Sequence, residues 1–94
     1  MECILDWTRI NLLNTKQLPC EPGCYALIKE SEIWYIGRSK LLWSRLSRLK
    51  SHNVISKVDP KEFELAWKTG WEIYEKEKEL ILKYKPRLCT YYLK

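Results

Sequence analysis

The chain has 94 residues, 46% of them hydrophobic, with five Trp and six Tyr, which is material for one domain with a modest core and too little for a second. Seventeen Lys and Arg against twelve Asp and Glu give a formal charge of +5, compatible with an anionic partner but not diagnostic of one. The apolar runs are too short for a membrane span or a secretory leader, and four cysteines with no Cys-x-x-Cys pair and a single His argue against zinc and disulfides, so a cytoplasmic protein whose cysteines are small core residues is expected.

Residues 1–21 carry Ile4, Leu5, Trp7, Ile10, Leu12, Leu13 and Leu18 partly at helical spacing, and Pro19 and Pro22 mark the way out. This reads as a short helix or irregular cover over one sheet edge. Residues 22–89 then hold every motif to which chemistry can be attached.

Pro22-Gly23 opens the β-prone run Cys24 to Lys29, and after Glu30-Ser31-Glu32 comes Ile33-Trp34-Tyr35-Ile36, closed by Gly37. The two runs form a hairpin that makes Tyr25 and Tyr35 near-neighbours. Packing aromatics are the ordinary use of such a pair.

Past Gly37 the period changes. Ser39 can cap a helix, and Leu42, Leu46 and Leu49 recur at four and three, predicting an amphipathic helix over residues 40–51. Arg45, Arg48 and His52 fall along one flank of its apolar stripe, where cations can lie over the core or reach a phosphate held by the sheet; guanidinium binds phosphate bidentately and keeps its charge. Residues 53–60 connect to a third strand, in which Phe63, Leu65 and Trp67 alternate with Glu62, Glu64 and Lys68.

Thr69 with Glu72 reads as a capping box opening a long helix that runs to about Lys85 before Pro86. On its helical wheel Glu77 sits among Ile73, Tyr74, Leu80, Ile81 and Tyr84, opposite Glu72, Glu75 and Glu79. A carboxylate on an apolar face needs a partner, either an arginine such as Arg45 or Arg38, or a divalent cation.

Gly23-Cys24-Tyr25, followed ten residues after its tyrosine by Tyr35-Ile36-Gly37-Arg38, resembles the paired signature of the GIY-YIG nucleases. The likeness continues through a helix arginine and a glutamate before Lys83-Tyr84-Lys85-Pro86, covering roughly residues 18–89. It implies a compact α/β sandwich of the α+β kind, a small three-stranded, mainly antiparallel sheet flanked by helices. It further implies a DNA endonuclease that hydrolyses phosphodiester bonds with one Mg²⁺ or Mn²⁺ ion.

By the resemblance Tyr25 is the general base, Tyr35 orients water or phosphate, Arg45 stabilises the pentacovalent phosphate and Glu77 holds the metal, standing nine residues before Pro86. Arg38, Lys40, Arg48 and His52 would contact phosphate or DNA. The family arginine lies ten residues after the second tyrosine, which selects Arg45; a His or Tyr often follows one turn later, where this chain has Leu49. Either Arg45 is the counterpart without that neighbour, or a three-residue shift makes Arg48 and His52 the pair, and spacing favours Arg45. Cys89 stands where the family carries an Asn, and a thiol is a weaker donor and acceptor than a carboxamide. The alternative function is a catalytically weak or inactive nucleic-acid-binding or partner-binding module on the same fold. The partner is DNA, branched and damaged forms included, with a protein partner or homo-oligomer supplying specificity.

Overall fold

A computed structural model describes residues 3–47, 52 and 54–89. Its strands are β1 (Thr8–Asn11), β2 (Gly23–Lys29), β3 (Glu32–Ser39) and β4 (Glu64–Thr69), and its helices are α1 (Leu42–Leu46), α2 (Trp71–Tyr74) and α3 (Glu77–Tyr84). The sheet is antiparallel throughout, in the order β1-β4-β2-β3. It has four strands rather than three, because the expected cover segment itself pairs with β4, Ile10 opposite Leu65. Three-residue and longer 3-10 turns at Ile4–Asp6 and Leu12–Gln17 flank that strand.

β2 is central, bonded to β3 on one side and β4 on the other, and all its residues but Lys29 are buried. Alternation along it therefore feeds two cores. Cys24, Ala26 and Ile28 meet Ile73, Leu80 and Ile81 of the C-terminal helices on one face. Tyr25 and Leu27 meet Leu12, Leu18, Leu42, Leu46 and Ile55 on the other. At the head of β2 no side chain is tolerated, since a β-carbon on Gly23 would collide with the Lys68 carbonyl of β4.

The hairpin turns through Glu30 and Ser31, both at positive φ (51° and 63°), the mirror-image turn that suits strand twist. A bulge between Leu27 and Ile28 leaves Trp34 unpaired across the ladder. The free side of β3 is not left bare: the Leu88 amide donates to the Trp34 carbonyl at 2.8 Å, so the C-terminal segment covers this edge.

Two helix expectations change. Thr69 does not cap, because it belongs to β4 opposite Gly23; Gly70, at φ 126°, is the N-cap and donates to the Pro22 carbonyl at 2.7 Å. Sheet pairing outcompetes the local capping box. The long helix is also broken, with Lys76 between α2 and α3 at φ −91°, ψ 2°. Ser39 likewise does not cap α1; it makes a local turn with Leu41, whose amide and carbonyl both bond its hydroxyl. Leu49, Arg48 and the rest of the expected 40–51 helix beyond Ser47 lie outside the described residues. Among the described residues no helix is long and apolar enough to cross a membrane.

Candidate functional site

β2 and β3 bring Tyr25 and Tyr35 to one face. Tyr25 pairs with Gly37 and Tyr35 with Leu27, and the ring centroids are 6.2 Å apart. The glycine is a steric requirement: a β-carbon at Gly37 would lie 2.5 Å from Tyr25 Cζ, so the phenol occupies the space that a side chain there would fill. The hydroxyl of Tyr25, a residue only 1% exposed, lies 2.7 Å from His52 Nε2. The His52 ring also packs edge-on against Tyr35, with centroids at 5.5 Å.

The tautomer of His52 follows from its other nitrogen. Nδ1 accepts from the backbone amides of Val54 and Ile55, each at 3.1 Å. An atom receiving two N–H donors carries no proton, so in the neutral ring Nε2 bears the hydrogen and donates it to the Tyr25 oxygen. His52 is thus a donor to Tyr25, not an acceptor of its proton. His52 itself is not helical, so it does not reach the phenol from a helix flank, and its ring is oriented by the Val54 and Ile55 amides.

Arg45, exposed in the last turn of α1, acts on the Tyr25 phenol electrostatically. Of the residues in the expected choice between Arg45 and a shifted Arg48–His52 pair, His52 bonds the Tyr25 hydroxyl and Arg45 acts on it electrostatically, while Arg48 lies outside the described residues. Burial pushes the Tyr25 phenol well above its ordinary value, with Tyr35 adding to the rise and Arg45 opposing it. Tyr35 is raised as well, by burial first and then by Cys89 and Glu77, against Arg45 and the Tyr25 hydroxyl. The Arg45 charge does not outweigh burial, and Arg38 does not act on Tyr25.

Burial and the Arg45 charge lower His52 to about 4. A base depressed in the folded state contributes stability above its ordinary 6.5 that is lost as pH falls towards 4, because the unfolded chain takes the proton first. Wild-type melting temperature should therefore drop more steeply between those two pH values than that of His52→Gln; parallel curves would show that His52 is not held neutral.

Glu77 opens α3, its side chain 21% exposed, and Arg38 at the end of β3 places Nε 3.6 Å from Oε1. This is a Coulombic contact beyond hydrogen-bond length. Of the two expected arginine partners, Arg38 is the one present. Burial raises the Glu77 carboxyl above the usual carboxylate range and Arg38 only partly offsets it. The wheel reading survives the helix break: Ile73, Leu80 and Ile81 are buried, Glu72, Glu75 and Glu79 exposed. Glu77 also acts electrostatically on Tyr25, Tyr35, Cys24 and Cys89, so the carboxylate and the tyrosines share one region although they approach it from opposite faces of the sheet. Lys40 is exposed between β3 and α1.

Cys89 does more than a space-filling thiol. Its sulfur accepts from the Ile36 amide and donates to the Ile36 carbonyl, both at 3.4 Å, on the outer edge of β3. Donor and acceptor duties expected of a carboxamide are both met, by weaker sulfur bonds. Cys24, pushed up to about 12 mainly by burial, donates to the Ile73 carbonyl at 3.0 Å and ties α2 to β2. Sequence reasoning missed Tyr74, whose ring lies 4.6 Å from the Arg38 guanidinium carbon and steadies it beside Glu77. Its position on the Glu77 side of the wheel was the available signal.

No protein-family model and no curated protein matches the chain. Solved structures do. The crystal structure of the GIY-YIG N-terminal endonuclease domain of UvrC from Thermotoga maritima, bound to its catalytic divalent cation magnesium, shares 27% identity over 82% of this chain and 93% of that one, with a TM-score of 0.69. A point mutant of that domain, bound to its catalytic divalent cation, gives 27% identity, 83% and 93% coverage and a TM-score of 0.70. Likeness over that much of both chains, together with Gly23–Tyr25 and Tyr35–Gly37 side by side on β2 and β3, makes this chain a GIY-YIG-like domain.

Proposed function

We propose that this protein is a divalent-metal-dependent DNA endonuclease of the GIY-YIG type, with residues 22–89 as its motif-bearing core, working in the cytoplasm on DNA that includes branched or damaged forms. The observation that carries the reading is the Tyr25 hydroxyl held by His52 at 2.7 Å beside the Tyr35 ring, within electrostatic reach of Arg45 and Glu77. A structural tyrosine needs one hydrogen-bond partner; this one has a donor histidine and a cation.

Glu77 fits a hard cation. It is a half-buried carboxylate whose charge Arg38 only partly compensates at 3.6 Å, and Mg²⁺ is commonly held by one or two carboxylates with water completing its shell. Mn²⁺ suits the same oxygen donor. Such an ion would supply Lewis-acid stabilisation to the leaving oxygen.

The chain's own residues do the rest. His52 Nε2–H donates to the Tyr25 oxygen and the Arg45 charge favours its phenolate, whose remaining lone pairs can take the proton of an attacking water. Tyr35 lines the same space and orients water or phosphate. Arg45, exposed and permanently charged, meets the negative charge that develops on phosphorus. Arg38, displaced from Glu77, and Lys40 would add contacts to the DNA backbone, where charge supplies affinity without sequence.

Arg45→Ala tests the reading. It should lower cleavage of plasmid or branched DNA with Mn²⁺ by at least about 100-fold while leaving the melting temperature nearly unchanged, since the side chain is exposed. The second reading, a catalytically weak binding module, is favoured by the upward shift of the Tyr25 phenol. Wild-type protein that binds DNA but cuts none of these substrates with Mg²⁺ or Mn²⁺ would establish it.

A further inference from the structure

Among the described residues Trp71 is the most exposed large aromatic, 56% open at the start of α2, and nothing in the proposed chemistry uses it. It is not an isolated ring. Its edge packs on Tyr74 with centroids 5.3 Å apart and planes at 77°; Arg38 lies 4.6 Å over Tyr74; and Arg38 reaches Glu77 at 3.6 Å. Three successive contacts thus run from the metal-binding candidate out to an open indole. Beside Trp71 a groove of about 420 Å³ carries Lys68 and Lys76 on its lining, with Glu72 between. Gly70 also lines it, and an added β-carbon there would meet nothing within 4 Å.

An exposed indole offers a large, rigid apolar face that a planar partner can cover. Here the surroundings select the partner. The cations of Arg38, Lys68 and Lys76 suit a phosphate backbone, while the Glu72 carboxylate disfavours a phosphate in the groove itself and can accept from an exocyclic amino group. Every base offers a π-face, so stacking on an aromatic ring with flanking cations is the usual device for holding unpaired nucleotides. A base inside a continuous duplex is already stacked and cannot use the ring.

Resting on the nuclease reading, we propose that Trp71 is a stacking platform for an unpaired base next to the scissile phosphate, so that the preferred substrate is DNA with an unpaired nucleotide at the cut site. Tyr74 backs the platform, and Arg38 links it to Glu77. Substrate preference is then built into this chain near its reactive centre.

The test uses the full chain carrying Glu77→Gln, which removes cleavage from the measurement, and labelled DNA of three kinds: continuous duplex, duplex with a short unpaired flap, and the same flap with an abasic first nucleotide. Binding is read by fluorescence anisotropy. The flap should bind about tenfold tighter than the duplex, and Trp71→Ala should erase that preference while Trp71→Phe keeps most of it. The abasic flap should bind like the duplex. Melting temperatures of the Trp71 variants should match the parent, because the ring is exposed. A flap preference that survives Trp71→Ala, or one that the abasic flap retains, overturns the platform and leaves the nuclease reading standing. Protein that binds none of the three DNAs overturns both.

Discussion

Tyr25→Phe is expected to slow DNA cleavage by about 10³-fold, the range in which a positioned proton-transfer group acts, and at the same time to lower stability. The two effects have separate causes. Phenylalanine keeps the ring over Gly37 and hence the packing, but it removes the oxygen to which His52 Nε2–H donates at 2.7 Å. Because Nδ1 is committed to the amides of Val54 and Ile55, the ring cannot turn its donor elsewhere, and a buried N–H is left without an acceptor at a cost of about 1–3 kcal/mol. For a domain of this size that is a fall of several degrees in melting temperature, about 4–8 °C per kcal/mol. Single-turnover cleavage and thermal melts on the same preparation separate the two. A variant that melts lower but cuts at the wild-type rate would make Tyr25 a structural residue and remove the base from the mechanism. Wild-type rate should also rise with pH well into the alkaline range, since burial holds the phenol above its ordinary value and a larger phenolate fraction means more base.

Glu77→Gln should abolish cleavage and, in melts, the stabilisation by Mn²⁺. A ligand that binds only the folded chain stabilises it by about 2.7 kcal/mol at a hundred times its Kd, which corresponds to a rise on the order of 10 °C or more for wild type. The glutamine variant should show none of it. Without metal the order reverses. A carboxyl raised in the folded state stabilises the fold while protonated, and that contribution is lost as pH rises through the raised value, so at neutral pH the bare carboxylate is a burden that Arg38 only partly relieves. The neutral amide removes the burden, and the metal-free variant should melt at or above wild type. An equal Mn²⁺ shift in both proteins would place the metal on other residues.

The hairpin, the two tyrosines on one face and the carboxylate among apolar residues were all legible in the sequence, because each is a local pattern. Alternation with a period of two assigns faces within β2 and β3, and the 100° step assigns Glu77 to the side of Ile73, Leu80 and Ile81 even across a break in the helix. Motif spacing alone points to Tyr25, Tyr35, Arg45 and Glu77.

What only the tertiary structure decided depends on partners distant in sequence. Thr8–Asn11 has no apolar alternation to declare a strand, and becomes one because β4 offers it an edge. Thr69 and Glu72 present a capping signal, yet the ladder with Gly23 holds Thr69 in the sheet, and that pairing together with the Gly70 amide on the Pro22 carbonyl outweighs one side-chain cap. His52 lies 27 positions from Tyr25, and only the folded chain, with the Val54 and Ile55 amides fixing Nδ1, turns its Nε2–H onto the phenol. Cys89 was expected to be a poor stand-in for an amide, but it lies against the open edge of β3, where Ile36 presents both an N–H and a carbonyl. The choice of Arg38 over Arg45 as partner of Glu77 has the same origin. Composition and spacing name the groups able to carry charge; which charges meet depends on how the strands are ordered and on which face each helix packs.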